Sequence, residues 1–103
     1  MVARGDIWWL ETPNDKRRPV LIVTRTEAVG VLRSVVVAPV TSTMRDTQTN
    51  VIVGEAEGLD HESVASFDNL ATVPKIFLTT RVGAIGVARE NEICRALAAL
   101  ADC

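Results

Sequence analysis

From Ile7 to Val87 the chain carries seven short runs rich in valine, isoleucine or tryptophan, separated by turn residues. They are Ile7–Leu10, Val20–Val23, Val35–Ala38, Val51–Val53, Ser63–Phe67, Thr72–Val73 and Arg81–Val87. Short β-branched and aromatic stretches bounded by such residues read as strands. Thr12-Pro13-Asn14-Asp15 stops the first, and Pro39 after the third predicts a nearby edge or bulge. The period changes only after Arg89, where Ile93, Leu97 and Leu100 fall on one helical face. Many short strands and one terminal helix predict a mainly β fold, a small barrel or twisted sheet closed by that helix. Adjacent Trp8 and Trp9 must point to opposite faces of their strand. Trp9 shares the face of Ile7 and is expected in the core. Trp8 is expected nearer the surface or a subunit contact, with stacking on single-stranded bases as the sharper alternative.

No repeat, linker or biased stretch divides the 103 residues, so one domain over 1–103 is expected. No run approaches the ~18 apolar residues of a membrane span, and the N-terminus lacks a signal-like core. A soluble, cytoplasmic protein is the expectation. Cys94 and Cys103 sit on one terminal segment and suggest neither a disulfide framework nor a metal cage. The formal charge of −2 argues, taken whole, against a nucleic-acid partner. Its distribution argues otherwise. Residues 16–48 hold six cations against two anions, net +4, whereas 49–103 are net −4 and 1–15 net −2. Nine of the eleven cations are arginines, whose planar fork suits phosphate. Scattered arginine is otherwise simply solvent-facing.

The second and third runs are joined by a loop, which makes antiparallel pairing the simplest topology. Paired residue numbers then have a constant sum. If Arg25 faces Ser34 the sum is 59, and Arg18 lies opposite Thr41, on one face and about 5 Å apart at Cβ. A slip of one residue would send Arg18 to the other face. Beside this pair runs the polar loop Ser42-Thr43-Met44-Arg45-Asp46. A guanidinium, hydroxyls and a basic loop together make a plausible anion site. Locally, Thr41 also reads as a β-branched strand end, and Arg17 and Arg18 as a solvated loop. Phosphodiester cleavage needs an aligned oxygen, stabilised phosphoryl charge and proton transfer to the leaving oxygen. RNA brings its own nucleophile in the 2′-hydroxyl, so Arg18 and Thr41 would need no metal-activated water.

At these residues the sequence resembles the MazF/PemK (Kid-like) family, the toxins of bacterial toxin–antitoxin pairs. Arg4-Gly5-Asp6-Ile7-Trp8, Arg18-Pro19-Val20-Leu21-Ile22-Val23 and Val37-Ala38-Pro39-Val40-Thr41-Ser42 match its first three strands. Ser63-Val64 through Phe67-Asp68-Asn69, then Thr72-Val73, resembles the next block. The resemblance implies an SH3-like small β-barrel with a C-terminal α-helix, of the PemK/CcdB-like kind. It implies a homodimer and a metal-independent, cofactor-free endoribonuclease cutting single-stranded RNA at specific sequences. Cleavage would pass through a 2′,3′-cyclic phosphate and leave a 5′-hydroxyl, inhibiting translation and growth. The family's key arginine and threonine fall on Arg18 and Thr41.

Arg17, Ser42, Thr43, Arg45 and Asn69 are the accompanying RNA-binding candidates. Asp68 is a candidate proton-transfer or base-contacting residue, or equally a strand-end aspartate capping a turn. The segment Glu11–Arg17 is shorter than in many members, so no loop Glu or His carries over. Ala71 and Ser66 stand where members carry arginines. His61 sits in an acidic turn and reads as a surface residue. The expected partners are single-stranded RNA and a small, MazE-like antitoxin, acidic and partly disordered, covering Arg18 and Thr41. Two other classes share this fold. One is a CcdB-like gyrase poison, which depends on a terminal Trp-Gly-Ile where this chain ends Ala101-Asp102-Cys103; the other is a non-catalytic interaction module binding RNA or protein.

Overall fold

The computed structural model describes residues 2–42 and 48–101. Seven strands form one antiparallel, strongly curled sheet: β1 (Asp6–Leu10), β2 (Arg18–Ile22), β3 (Ser34–Thr41), β4 (Asn50–Val53), β5 (Ser63–Ser66), β6 (Ala71–Pro74) and β7 (Leu78–Ala84). Their order is β4-β5-β3-β2-β1-β7, with β6 also on β3. A single helical turn, α1 (Thr26–Val29), joins β2 to β3, and α2 (Glu90–Leu100) closes the described chain. No helix among the described residues is long and apolar enough to cross a membrane.

The continuous Val/Ile runs of β2 and β3 follow from burial on both faces, which removes the polar alternation of a half-exposed strand. Leu21, Val23, Ala38 and Val40 pack with Ile7, Phe67 and, from α2, Ile93 and Ala96. Val20, Ile22, Val35 and Val37 pack on the other face with Val29, Val73 and Leu78. Each such side chain, once fully buried, contributes about 1.5–3 kcal/mol.

Several boundaries differ from the sequence expectation. Phe67 is not the last residue of β5 but opens a 3-10 turn, Phe67–Asn69, where it is fully buried. β7 begins three residues before Arg81 and ends at Ala84, because the left-handed φ of Gly86 (85°) turns the chain toward α2. The core face of α2 is Ile93, Ala96 and Leu97, whereas Leu100 is 42% exposed. Pro39 lies inside β3 rather than past its end. Residues 34–37 of β3 pair with β6 and residues 40–41 with β5. Ala38 and Pro39 occupy the switch between partners, where a residue with no N–H breaks no ladder.

The tryptophans also depart from expectation. Trp8, on the face of Leu10, packs on the Val20/Ile22 layer and donates its Nε1 proton to Asp6 Oδ2 at 3.2 Å. Asp6 is buried, accepts a second bond from the Ala3 amide at 3.0 Å and lies 3.5 Å from Arg81. The opening Arg4-Gly5-Asp6-Ile7-Trp8 block is thus a structural clasp. Trp9 does share the face of Ile7, but it is only half-buried and lines a cleft.

Candidate functional site

β2 and β3 pair as Val20↔Pro39, Leu21↔Ala38 and Ile22↔Val37, a constant sum of 59. The same register, carried two residues past its last bridged pair, sets Arg18 opposite Thr41. Both side chains line a cleft of about 590 Å³ together with Lys16, Ser66 and Asn69. The partner switch in β3 makes this opening. β5 has ended at Ser66 and β6 does not begin until Ala71, so the sheet parts beside Ala38 and Pro39, just before Thr41. Apolar Val20, Val37 and Val73 form the inner wall.

Asn69 donates through Nδ2 to Ser66 Oγ at 3.0 Å, which fixes the amide on that rim. Arg18 and Lys16 supply two positive charges, and Asp15 is the one carboxylate among the described lining residues. A guanidinium fork, an ammonium, hydroxyls and an amide around an apolar wall suit a tetrahedral oxyanion. Among the described residues, no three His, Cys, Asp or Glu side chains gather into a metal-ligand set.

The period of the strand divides the remaining candidates. Arg17 and Ser42 belong to the opposite face, where a second cleft of about 650 Å³ is lined by Trp9, Pro19, Ser42, His61 and, at its lip, Thr41. The Arg17 guanidinium lies 3.9 Å from the centre of the Trp9 ring. His61 is exposed and hydrogen-bonded to Asp60. Asp68 is exposed on the Phe67–Asn69 turn and accepts a 2.7 Å bond from Thr49 Oγ1; it does not line the Arg18 cleft. Thr43 and Arg45 lie outside the described residues.

Sequence reasoning missed Asp15, Lys16 and Ser66. The available signal was the two-residue spacing of Lys16 and Arg18, which puts both on one side of an extended chain. Ser66 carried a signal of another kind, since it stands where members of the resembled family carry an arginine; for Asp15 no local signal exists, since it reaches the cleft through the fold.

Comparison with known proteins identifies the family. The PemK-like, MazF-like toxins of type II toxin–antitoxin systems match residues 3–101. Endoribonuclease MazF3 of Mycobacterium tuberculosis is 40% identical over 81% of this chain and 81% of its own length. Among solved structures, the Mycobacterium tuberculosis toxin MazF-mt6 superposes with a TM-score of 0.82 at 36% identity, covering 90% of this chain and 92% of that one. An endoribonuclease from a mycobacterial species, solved in complex with its cognate antitoxin, gives 0.81 at 27% identity over 97% and 94%. The chain belongs to the PemK-like, MazF-like toxin family of type II toxin–antitoxin systems.

Proposed function

We propose that this protein is an endoribonuclease toxin that cuts single-stranded RNA at the Arg18/Thr41 cleft and is neutralised by a cognate antitoxin. The observation that carries the reading is the β2–β3 register, which sets an arginine fork opposite a hydroxyl in a chain whose relatives are endoribonucleases. The scissile phosphate sits against Arg18, with Lys16 as a second cation. Thr41 hydrogen-bonds a phosphoryl oxygen. The RNA's own 2′-oxygen attacks phosphorus, the bond to the 5′-oxygen breaks, and a 2′,3′-cyclic phosphate and a 5′-hydroxyl result. Charge developing on the phosphoryl oxygens is what a preorganised fork stabilises best.

In this reading Asp15, the carboxylate lining the cleft, takes the 2′-hydroxyl proton, and the departing 5′-oxygen takes a proton from water. Asp68 holds Thr49, the residue before β4. The reaction needs no metal, the chain acts in the cytoplasm as a homodimer, and residues 1–103 work as one unit. An acidic, partly disordered antitoxin segment covers the same cations and so competes with RNA.

The test is cleavage of a long single-stranded RNA in EDTA. Wild type should cut and leave 5′-hydroxyl ends. Arg18→Ala and Thr41→Val should each lose about 100-fold or more while keeping the wild-type melting temperature. Asp15→Asn should lose about 100-fold or more, as removal of a general base does, and Asp68→Asn much less. Full activity in Arg18→Ala, or cutting only with added metal, would refute the site.

A further inference from the structure

The cleft on the opposite face is not used by the cleavage step, yet it is built around a tryptophan that the core leaves uncovered. Trp9 is half-buried at the end of β1, and one side of its ring is occupied by the Arg17 guanidinium at 3.9 Å. Arg17 does not line the cleft; Trp9 does, with Pro19, Leu59 and Val82 as further apolar surface. The polar lining carries Ser42, Ser63 and His61, with the Asp60 carboxylate hydrogen-bonded to the His61 ring. Flat aromatic surface with hydroxyl and imidazole groups at the mouth matches how single-stranded RNA is read: one base stacks, and its edge meets donors and acceptors.

Thr41 lines both clefts. The strand end therefore separates a phosphate site on one face from an aromatic site on the other. We propose that this second cleft seats the base flanking the scissile phosphate, stacked on Trp9. Arg17 is the positioning residue that holds the indole, and the base stacked there turns its edge to Ser42 and His61, which set base preference at that one position. The proposal rests on the ribonuclease reading above and adds to it a source of sequence specificity.

The test is sequencing of the 5′ ends of fragments cut from one long RNA by wild type, Trp9→Leu, Trp9→Phe and Arg17→Gln. Wild type should discriminate among bases at a position next to the cut. Trp9→Leu should lose that discrimination, because a base no longer held flat on the indole does not present its edge to the groups at the mouth. Trp9→Phe should keep most of it, and Arg17→Gln should fall between.

Should Trp9→Leu cut too little RNA to map, binding decides. An uncleavable RNA with a 2′-deoxy group at the scissile nucleotide is stripped of one base at each position in turn. Wild type should lose about 5- to 150-fold in affinity when the flanking base is removed, and Trp9→Leu should lose nothing further there. An unchanged cleavage motif in Trp9→Leu, or equal losses in both proteins, overturns the proposal. So does a Trp9→Leu protein that keeps its motif but escapes the antitoxin, because the cleft would then be a protein anchor. A wild type that cuts no RNA ends this proposal and the ribonuclease reading together; an unchanged motif ends this one alone.

Discussion

Gly83→Ala is the substitution whose consequence the structure defines most sharply. A Cβ at Gly83 would lie 2.0 Å from the Glu57 carbonyl oxygen and 2.8 Å from its carbon. That is well over an ångström inside the roughly 3.5 Å at which non-bonded heavy atoms attract. The obstacle is backbone, so no rotamer relieves it. The approach is reciprocal, since a Cβ at Gly58 would lie 2.5 Å from the Val82 carbonyl oxygen, at a φ of 93°. β7 and the 3-10 turn Glu55–Glu57 thus meet glycine to carbonyl at two neighbouring positions.

To admit the methyl group the turn must lift. Glu57 is buried, accepts a 2.6 Å bond from the Gly54 amide and lies 3.3 Å from Arg89 Nη1. Overpacking costs about 1–3 kcal/mol. Weakening a bond to a buried carboxylate adds about 1.5–3 kcal/mol. A loss of about 2.5–6 kcal/mol would be a large part of the roughly 5–15 kcal/mol that holds a small domain folded. With an m-value of about 2 kcal/mol/M, the urea midpoint should fall by about 1.2–3 M at unchanged m. Gly30→Ala is the control. Its φ of −67° suits alanine and nothing lies within 4 Å of the new methyl, so it should stabilise by about 0.4–1 kcal/mol. A Gly83→Ala protein within about 0.5 kcal/mol of wild type, the scale of an ordinary surface substitution, would refute the reasoning.

Two further outcomes follow from the charges. The Arg89 side chain donates to both carboxylate oxygens of Glu92, at 2.7 and 2.9 Å, and this hydrogen bonding holds the Glu92 carboxyl below its ordinary value of 4.5. A depressed folded value means the stabilisation is present above the unfolded pKa and fades as pH falls through the folded one. Glu92→Gln should therefore lower the melting temperature at neutral pH, where this stabilisation is present, and converge on wild type below about pH 4.5, flattening the acid limb; an unaltered limb would contradict the linkage. The second outcome concerns salt. If only Arg18 and Lys16 meet phosphate, the slope of log affinity for single-stranded RNA against log salt should be about −1.4, and Arg18→Ala should reduce it by about 0.7. A slope steeper than about −4 would mean a footprint wider than these two clefts.

What could be read from the sequence, and what could not, divides along one physical line. Strand period and register are local or nearly local, so the seven strands and the Arg18/Thr41 juxtaposition could be argued from residue spacing alone. The faces were also legible. Trp9 lies on the side of Ile7, and Arg17 and Arg18 lie on opposite sides, as a period of two requires. Where each apolar layer stops was not legible, because contacts between distant residues decide it. Trp9 is left at a cleft, whose wall is completed by Leu59 and Val82 from elements some fifty and seventy residues away. The Arg18 cleft exists because β3 exchanges β6 for β5 at Ala38 and Pro39, a change of partner that no pattern within β3 announces. Pro39 did carry a signal there, but a missing N–H marks an edge, a bulge and a change of partner alike. Asp15, Lys16 and Ser66 enter the site through that opening, which is why spacing found the arginine and threonine but not their neighbours. The net charge of −2 misled for a related reason. Charge steers binding through its local arrangement, and the two cations lining the Arg18 cleft belong to a positive stretch that the acidic ends of the chain hide in the total.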